Sequence, residues 1–406
     1  MFKSAFLVFM IRCVSSLLAF AAQLYISRKY GVSEYGDFSF IVSTLYIVST
    51  VSVLGLDYHL LIRGARTSLV NMQSNFVLFS SFVILTSLVL SIVPMYITIN
   101  RIDGTNIQFV LLVISSVVFS LNYLRSAYFR VLRREVTALL PDAIYKNLIL
   151  ISFVFFFSYI AGDKLDIVDL TTFSFILSLG LPVFSLLIKQ KTSLLAIKLK
   201  KIRLATYFGF FYLSISLMQL LLAHTDIQML GYLDDSKSVG LYSAASKISI
   251  LINFSLMSMN FISVSRISKL MKDGNWRQVN KISNEIRLIG TLVALFFTIA
   301  MFFVGKYILN LFGKEYLAAY NCLIILSISQ VFYSLVGPSS IIINAKNKQH
   351  ITFIGYLCAA ILNVIMNFAL IPSFKIEGAA IASLTSMMFL TIYLFILCKK
   401  LMKIVE

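Results

Sequence analysis

The chain of 406 residues is too apolar to be a soluble protein. Hydrophobic residues make up 59% of it and charged residues 13%, whereas an ordinary soluble domain has about 45–50% and about 25%. Apolar runs long enough to cross a hydrocarbon core of about 30 Å recur along the whole length. Because backbone groups in lipid must satisfy one another, these runs are predicted to be helices. The sequence therefore predicts an all-α polytopic membrane protein.

Its formal net charge of +18 raises the question of nucleic acid binding. Such binding needs a soluble basic face or a recognition helix, and no segment offers one, so no nucleic acid partner is expected. The four cysteines, Cys13, Cys322, Cys358 and Cys398, lie within apolar runs and have no metal-ligand spacing. We expect them to be reduced core residues, with no metal and no cofactor.

Apolar runs between charged connections divide the chain into spans. The first one, with Lys3 before it and Ala19-Phe20-Ala21 near its end, imitates a signal peptide, but Arg12 interrupts its apolar centre and argues against cleavage. Counting this run, the hydropathy pattern predicts twelve transmembrane spans, at about 5–27, 37–58, 76–99, 107–125, 138–160, 167–188, 205–230, 239–265, 288–309, 317–343, 351–371 and 378–398.

The basic residues test the orientation of these spans. Lysine and arginine are enriched on cytoplasmic connections. With the amino terminus placed inside, the inner connections hold basic residues in a ratio of roughly three to one over the outer connections, and the bias alternates loop by loop. The sequence therefore predicts an N-in, C-in topology, and most of the positive charge is a consequence of that topology.

Two similar stretches occupy matching places in the two halves. Gly36-Asp37-Phe38-Ser39 follows the first span, and Gly240-Leu241-Tyr242-Ser243 follows the seventh. Transporters are commonly built from such internal repeats, with the transport pathway at the interface of the halves. We therefore predict two pseudo-symmetric six-helix lobes, residues 1–200 and 201–406.

Four motifs also carry a resemblance to a known family: "ISRKYGVSEYGDF", "DIQMLGYLDDSKSVGLYSAASKI", "LFGKEYLAA" and "LNVIMNFALIPSFKIEGAAIASL". In order and spacing they resemble the polysaccharide-exporter branch of the multidrug/oligosaccharidyl-lipid/polysaccharide (MOP) exporter superfamily, above all the Wzx-type flippases of O-antigen or other lipid-linked oligosaccharides. The resemblance covers residues 1 to about 400. It implies transport of an undecaprenyl-diphosphate-linked glycan across the bacterial inner (cytoplasmic) membrane. Membrane lipids, a polysaccharide polymerase and a chain-length regulator are the further partners it implies.

The last of these motifs is interpreted as a packing element. Pro372 is expected to end the eleventh span, and "SFKIE" to form a minimal external turn. Small side chains follow on the twelfth span at helical spacing, namely Gly378, Ala379, Ala382, Ser383 and Ser386. Small residues let helix backbones approach closely in lipid, so the motif marks the fold and is not expected to carry chemistry.

Ionisable residues inside the spans are the candidates for a transport pathway, because burying them in lipid is costly. Arg12, Lys146 and Lys247 lie at intermediate depth in the first, fifth and eighth spans, and fixed positive charges there would suit a diphosphate. Structural alternatives remain open. Arg12 could extend to the inner interface, and Lys146 could pair with Asp142 one turn earlier.

Polar residues recurring on single helix faces extend the candidate site. The predicted substrate-binding set adds Gln23, Gln219 and Asn363 to the three cations. Acidic or imidazole groups near the ends of spans could exchange ions or protons during transport, and the predicted coupling residues are Asp142, Asp226 and His224. Asp57 and His59, at the inner end of the second span, are interpreted as ordinary interfacial residues.

Three classes of function compete. The first is a flippase that uses no ATP within this chain, since no G-x-x-x-x-G-K-[ST] stretch occurs; the family resemblance implies coupling to a proton or sodium gradient. The second is a cation-coupled multidrug or metabolite antiporter of the same superfamily, which would rely on buried carboxylates. The third, a membrane glycosyltransferase, ligase or polymerase, would need larger outer loops than these spans leave. The sequence favours the flippase, a transporter and not an enzyme.

Overall fold

The structure is a computed structural model that describes residues 2–64, 68–160, 166–189, 199–253, 267, 270–271, 273–346 and 348–403. Within these ranges the regular structure is entirely helical. In chain order the elements are α1 (Phe2–Val53), α2 (Leu56–Gly64), α3 (Leu69–Arg101), α4 (Asn106–Val131), α5 (Glu135–Leu140), a π-helical turn (Pro141–Tyr145), α6 (Lys146–Ile160), α7 (Ile167–Lys189), α8 (Leu199–Leu233), α9 (Ser236–Leu251), α10 (Trp276–Phe312), a 3₁₀ turn (Lys314–Ala319), α11 (Tyr320–Val336), α12 (Ser339–Ala345) and α13 (Gln349–Lys403).

In the described part of the chain, nine helices are long and apolar enough to cross a membrane. The longest helix at each end of the chain contains two predicted spans. In α1 they are separated by Gly31, which has a φ of 85°, and in α13 by Lys375, which has a φ of 48°. The second half of the predicted eighth span, from residue 254, lies outside the described residues. The predicted all-α polytopic membrane architecture is confirmed.

The break within α13 falls at Lys375, whereas the sequence predicts the end of a span at Pro372. The helix continues through Pro372. Proline removes one backbone N–H hydrogen bond and clashes with the preceding turn, but helices in membranes tolerate both effects. The small residues that follow pack as predicted: Ala379, Ala382 and Ser386 are fully buried.

The chain forms two compact units. The first comprises Met1–Tyr30 and Phe40–Leu220, and the second comprises Gly31–Ser39 and Leu221–Glu406. The predicted lobe boundary at residue 200 stays a prediction about which helices move together.

A cluster of buried apolar side chains holds α2, α3, α4 and the start of α8 together in the first unit. Leu56, Phe76 and Leu124 are completely buried there, and the rings of Phe76 and Tyr128 are 4.9 Å apart. This apolar core fixes the inner end of the unit, where α4 carries its functional side chains.

In the second unit the two matching glycine stretches lie against each other. A side chain at Gly36 would overlap the carbonyl oxygen of Ser236, and one at Gly240 would overlap the carbonyl oxygen of Val32. Val32 and Ser236 each stand four residues before the glycine of their own stretch. The contact is thus reciprocal, as expected for two copies of one repeat, and only glycine allows the backbones to come this close.

The cysteines divide into two groups. Cys322 and Cys398 are buried, as predicted, and Cys13 is partly buried, whereas Cys358 is exposed, so the expectation of a core position is wrong for Cys358. The reason is physical: a helix face that meets lipid is as apolar as one that meets protein, and hydropathy cannot separate the two.

Candidate functional site

The first unit places Lys146 in an ion pair at the end of the π-helical turn. Its Nζ lies 2.6 Å from Oδ1 of Asp142 and donates a hydrogen bond of 2.6 Å to the hydroxyl of Tyr46. The side chain of Lys146 is 12% exposed and that of Asp142 is 53% exposed. The structural alternative weighed for Lys146 is therefore the arrangement observed. Turns of π-helix occur frequently at functional sites, so the pairing does not argue against a role in transport.

A cavity of about 260 Å³ lies in the same unit, between the ends of α1 and α4, the short helix α2 and the middle of α8. Its polar walls include the side chains of Asp57, Tyr58, Tyr123, Arg130 and Ser216. The Tyr58 hydroxyl and the Ser216 hydroxyl are 2.5 Å apart. The cavity thus combines a cation, a carboxylate and several hydroxyl groups, which is the mixture that recognises an anionic, sugar-bearing molecule.

Polar side chains connect this cavity to the Lys146 pair. The Tyr123 hydroxyl in the cavity wall lies 3.5 Å from Oγ1 of Thr50. The hydroxyl of Thr50 in turn donates to the backbone carbonyl of Tyr46. The side-chain hydroxyl of Tyr46 accepts a hydrogen bond from Lys146. A polar track therefore runs from the cavity to the ion pair within one unit.

Arg130 adds a second basic group to the one predicted at Arg12. Arg12 is exposed, and its charge and that of Arg130 are close enough to act on each other. Arg130 also acts on the carboxylate of Asp57, which is partly buried. The structure thus places Arg12 near Arg130 and gives Asp57 a place in the cavity wall, whereas His59 packs edge-on against Phe79 at 5.7 Å.

The second unit contains a carboxylate with four donors. Asp226 is 2% exposed. Its Oδ1 accepts hydrogen bonds of 3.0 Å from Asn363 and 2.7 Å from Asn367, and its Oδ2 accepts from the hydroxyls of Tyr242 and Ser383. Four neutral groups thus satisfy the oxygens of this buried carboxylate, as buried polar groups require. Asn363 and Ser383 belong to the motif that we interpreted as packing alone, so this motif also positions a buried charge.

His224 and Lys247 lie near each other in this unit, since the charge of Lys247 acts on the imidazole of His224. Both side chains are partly buried. Two other predicted residues are less centrally placed: Gln23 is partly buried on α1, and Gln219 is exposed, one turn after Ser216 on α8. The structure therefore associates Arg12, Lys146 and Asp142 with the polar track, and Asn363 with Asp226.

Sequence reasoning missed several of these side chains. In the sequence, Arg130 is one of the basic residues that indicate topology, and nothing marks it as a site residue. The three tyrosines give no sign of a role in the site either, because tyrosine is common in membrane helices; they are Tyr46, Tyr58 and Tyr123. Asn367 does stand in a recognisable polar stripe with Asn363. Its partner Asp226 lies 141 residues away, and one-dimensional periodicity cannot reveal such a pair.

Comparison with known proteins identifies the family. A model of the family described as "Polysaccharide biosynthesis protein" matches residues 1–271, and a model named MatE matches residues 212–369. The chain belongs to the polysaccharide biosynthesis protein family. It is a transporter of the MOP superfamily, as the sequence motifs indicate.

A curated relative and several solved structures extend this comparison. The chain is 26% identical over 145 residues to the capsular polysaccharide biosynthesis protein CapF of Staphylococcus aureus, an alignment that spans 36% of this chain and 37% of that one. Its fold is similar to that of the lipid II flippase MurJ in an inward closed conformation, with a TM-score of 0.80, 17% identity, and coverage of 97% of this chain and 87% of that chain.

An inward-facing multidrug resistance MATE transporter of the MOP superfamily is also similar, with a TM-score of 0.72, 13% identity and coverage of 98% of both chains. At these identities the likeness concerns the fold. Together with the nine described helices that are long and apolar enough to cross a membrane, it makes the chain a multi-pass membrane protein.

Proposed function

We propose that this protein moves an undecaprenyl-diphosphate-linked oligosaccharide from the inner to the outer leaflet of the bacterial cytoplasmic membrane. The observation that carries the proposal is the polar track of the first unit, from Arg130 and Asp57 through Tyr123 to Lys146. The family of the chain, the capsular polysaccharide role in the name of CapF, and the lipid II flippase role in the name of MurJ support the same substrate class. The glycan itself is not specified by these residues.

Each part of the track suits one part of such a substrate. Arg12 and Arg130 present guanidinium groups, which bind phosphate oxygens in a bidentate manner. The hydroxyls of Tyr58 and Ser216 can exchange hydrogen bonds with sugars, and the Tyr58 ring stacks on that of Tyr212 at 5.8 Å, so it is held rigidly. The diphosphate would bind at the arginines, the sugars along the tyrosines, and the polyprenyl chain would stay in lipid.

The Lys146–Asp142 pair would act as a switch in this mechanism. In the structure the charge of Lys146 is neutralised by Asp142. A diphosphate that reached Lys146 would compete with this carboxylate, which is half exposed and can turn to water. The exchange of one anionic partner for another lets the cation bind the substrate without ever being left buried and unpaired.

Alternating access is the transport mechanism that we propose, with the lobes 1–200 and 201–406 as the moving bodies. Lys247 is the predicted cation of the second lobe. Asp226, a buried carboxylate with four donors, is the group we assign to coupling, with His224 beside Lys247 as a second candidate. Protonation of Asp226 or capture of a sodium ion would replace some of its donors and change the packing of α8 against α13.

Flipping can be measured with purified protein in liposomes that hold a fluorescent undecaprenyl-diphosphate oligosaccharide, by quenching of the outer leaflet. We expect Arg130→Gln and Lys146→Met to lower the initial rate at least about tenfold, because a lost charge-assisted contact is worth about 1.4 kcal/mol or more. Arg277→Gln, which removes an exposed arginine of α10, is the matched control and should flip at the normal rate. Normal flipping by both test variants would refute the site.

The competing function, a cation-coupled multidrug or metabolite antiporter, is favoured by one observation, the buried carboxylate of Asp226 within the region that matches MatE. The two functions differ in substrate. Growth of a deletion strain with cationic drugs would change under the antiporter hypothesis, whereas lipid-linked oligosaccharide would accumulate on the inner leaflet under the flippase hypothesis.

A further inference from the structure

Arg125 is the most deeply buried cation of the described residues. It lies on α4 and is 1% exposed. Its Nε donates to Oδ1 of Asn122 at 3.0 Å, and its two terminal nitrogens donate to the carbonyl oxygens of Thr137 at 3.0 Å and Ala138 at 2.8 Å. Three of its five N–H groups are thereby used.

All three acceptors are neutral. Among the described residues no carboxylate forms an ion pair with Arg125, although the charge of Asp142, itself paired with Lys146, acts on it from a greater distance. A buried cation without a directly bonded counterion costs several kcal/mol, and three neutral partners satisfy its hydrogen bonds without neutralising its charge. The polar track does not use Arg125, so its burial has no explanation in the proposed function.

A cavity of about 660 Å³ lies beside this guanidinium, between α4, α5, α6 and α7. Arg134 provides a second positive charge in its wall, together with polar groups of Thr137, Ser178 and Ser185. Leu177 and Leu181 of α7 line it as well and are 37% and 59% exposed. The cavity is therefore amphiphilic, with two arginines and several hydroxyl groups beside an apolar wall that is open to the outside.

The position of the cavity along the helices also matters. Arg125 lies near the end of α4, Arg134 immediately before α5, and Ser185 near the end of α7. Three membrane-spanning segments end at this level, on the side that the basic residues predict to be cytoplasmic. Lipid phosphates lie near the ends of membrane-spanning helices, and basic pockets between helices on this side bind anionic headgroups.

We propose that this cavity binds the phosphate headgroup of an anionic phospholipid of the inner leaflet, with Arg125 and Arg134 as its counterions and Leu177 and Leu181 against its acyl chains. The site is independent of the transported substrate and would exist whatever the protein carries. It is also adjacent to the π-helical turn, since Pro141 and Tyr145 line the cavity while Asp142, between them, pairs with Lys146. A bound lipid would therefore stabilise the segment that holds this ion pair.

The test compares lipid binding by purified full-length protein in detergent, with dioleoyl phosphatidylglycerol and dioleoyl phosphatidylcholine as probes. Native mass spectrometry gives the affinity for each lipid, and thermal unfolding gives the stabilisation. We expect a preference for phosphatidylglycerol that Arg134→Gln weakens about fivefold, the effect of one basic residue near an anionic phosphate. Leu181→Trp, which fills the mouth of the cavity and keeps both arginines, should remove the preference.

Leu292→Trp, at a leucine of α10 that is 56% exposed, and Arg277→Gln are the matched controls and should retain the preference. Leu181 and Arg134 are exposed, so their variants should fold even if Arg125→Gln does not. Equal binding of the two lipids by the natural sequence, or an undiminished preference in Leu181→Trp, would overturn the proposal. So would displacement of phosphatidylglycerol by undecaprenyl diphosphate at lower concentration, which would assign the cavity to the transported substrate.

Discussion

Replacement of Gly36 or Gly240 by alanine should destabilise the second unit. A methyl group at Gly36 would lie 2.8 Å from the carbonyl carbon of Ser236 and 3.0 Å from the backbone nitrogen of Gly240, and one at Gly240 would lie 3.1 Å from the carbonyl carbon of Val32. Ordinary contact begins at 3.4 Å. Because all of these neighbours are backbone atoms, no change of rotamer can relieve the overlap, and the helices themselves must separate.

Overpacking of this kind costs about 1–3 kcal/mol, and backbone neighbours place both variants near the upper end. Since either methyl group forces the same two segments apart, the double variant Gly36→Ala/Gly240→Ala should cost less than the sum of the single variants. Gly180→Ala is the control, because the nearest atom to a methyl group there is a side-chain carbon of Val118 at 3.8 Å. It should be neutral or gain up to about 1 kcal/mol from helix propensity.

Thermal or denaturant unfolding of the purified protein in one detergent measures all four variants on the same scale. If the Gly36→Ala and Gly240→Ala variants were as stable as Gly180→Ala, the close backbone contact between the two glycine stretches would not exist. Strictly additive costs would show that the two glycines do not share one contact.

Three further predictions concern single side chains and the same unfolding measurement. Asp142→Asn should lower the free energy of unfolding by about 3 kcal/mol, because it leaves the mostly buried Lys146 without its counterion. Lys146→Met should lower it by less than about 1 kcal/mol, because the remaining carboxylate can be hydrated. A larger loss for Lys146→Met than for Asp142→Asn would contradict the geometry of the pair. Asn367→Ala should cost about 2 kcal/mol through the lost hydrogen bond to a buried carboxylate, and Asn100→Ala, at an exposed position of α3, should stay within about 0.5 kcal/mol. Burial raises the pKa of Asp235, but hydrogen bonds from Ser238 and the charges of Lys375 and Lys237 outweigh it and hold the pKa below its ordinary value. A depressed folded-state pKa stabilises the fold above the unfolded value of about 3.9, and this stabilisation is lost as pH falls through the folded value. Asp235→Asn should therefore lower the unfolding temperature at pH 7, and the deficit should shrink steadily as the pH falls below about 3.9; a deficit that does not shrink would refute the charge effect.

The membrane helices could be predicted from the sequence because each one follows from local hydropathy. A run such as 288–309 is apolar whatever it packs against, and the alternation of basic connections adds an independent constraint. The two reciprocal glycine stretches were also visible, since Gly36 and Gly240 stand in similar motifs. What hydropathy could not supply is the exact break at Lys375 or the exposure of Cys358, which depend on neighbours.

The candidate site was only partly predictable for the same reason. The i,i+4 spacing of Asp142 and Lys146 made their pairing a stated alternative, because both lie on one helix. By contrast, the four donors of Asp226 come from two other helices, α9 and α13, and Arg130 becomes a cavity residue only because α1, α2 and α8 enclose the cavity together with α4. Interactions within one helix can be read from spacing, whereas interactions between helices need the fold.

The repeat relates the two halves in packing but not in chemistry. The spacing that relates Gly36 to Gly240 also relates Ala22 to Asp226, and Ala22 is a buried apolar residue at 2% exposure. The glycine contact is thus present in both copies, since a side chain at either position would push the two backbones apart. The buried carboxylate, by contrast, exists in one copy only. Arg130 lines the cavity of about 260 Å³ in the first unit, and the four-donor carboxylate lies in the second. This asymmetry matches a transporter in which one half recognises an anionic substrate and the other half responds to a cation.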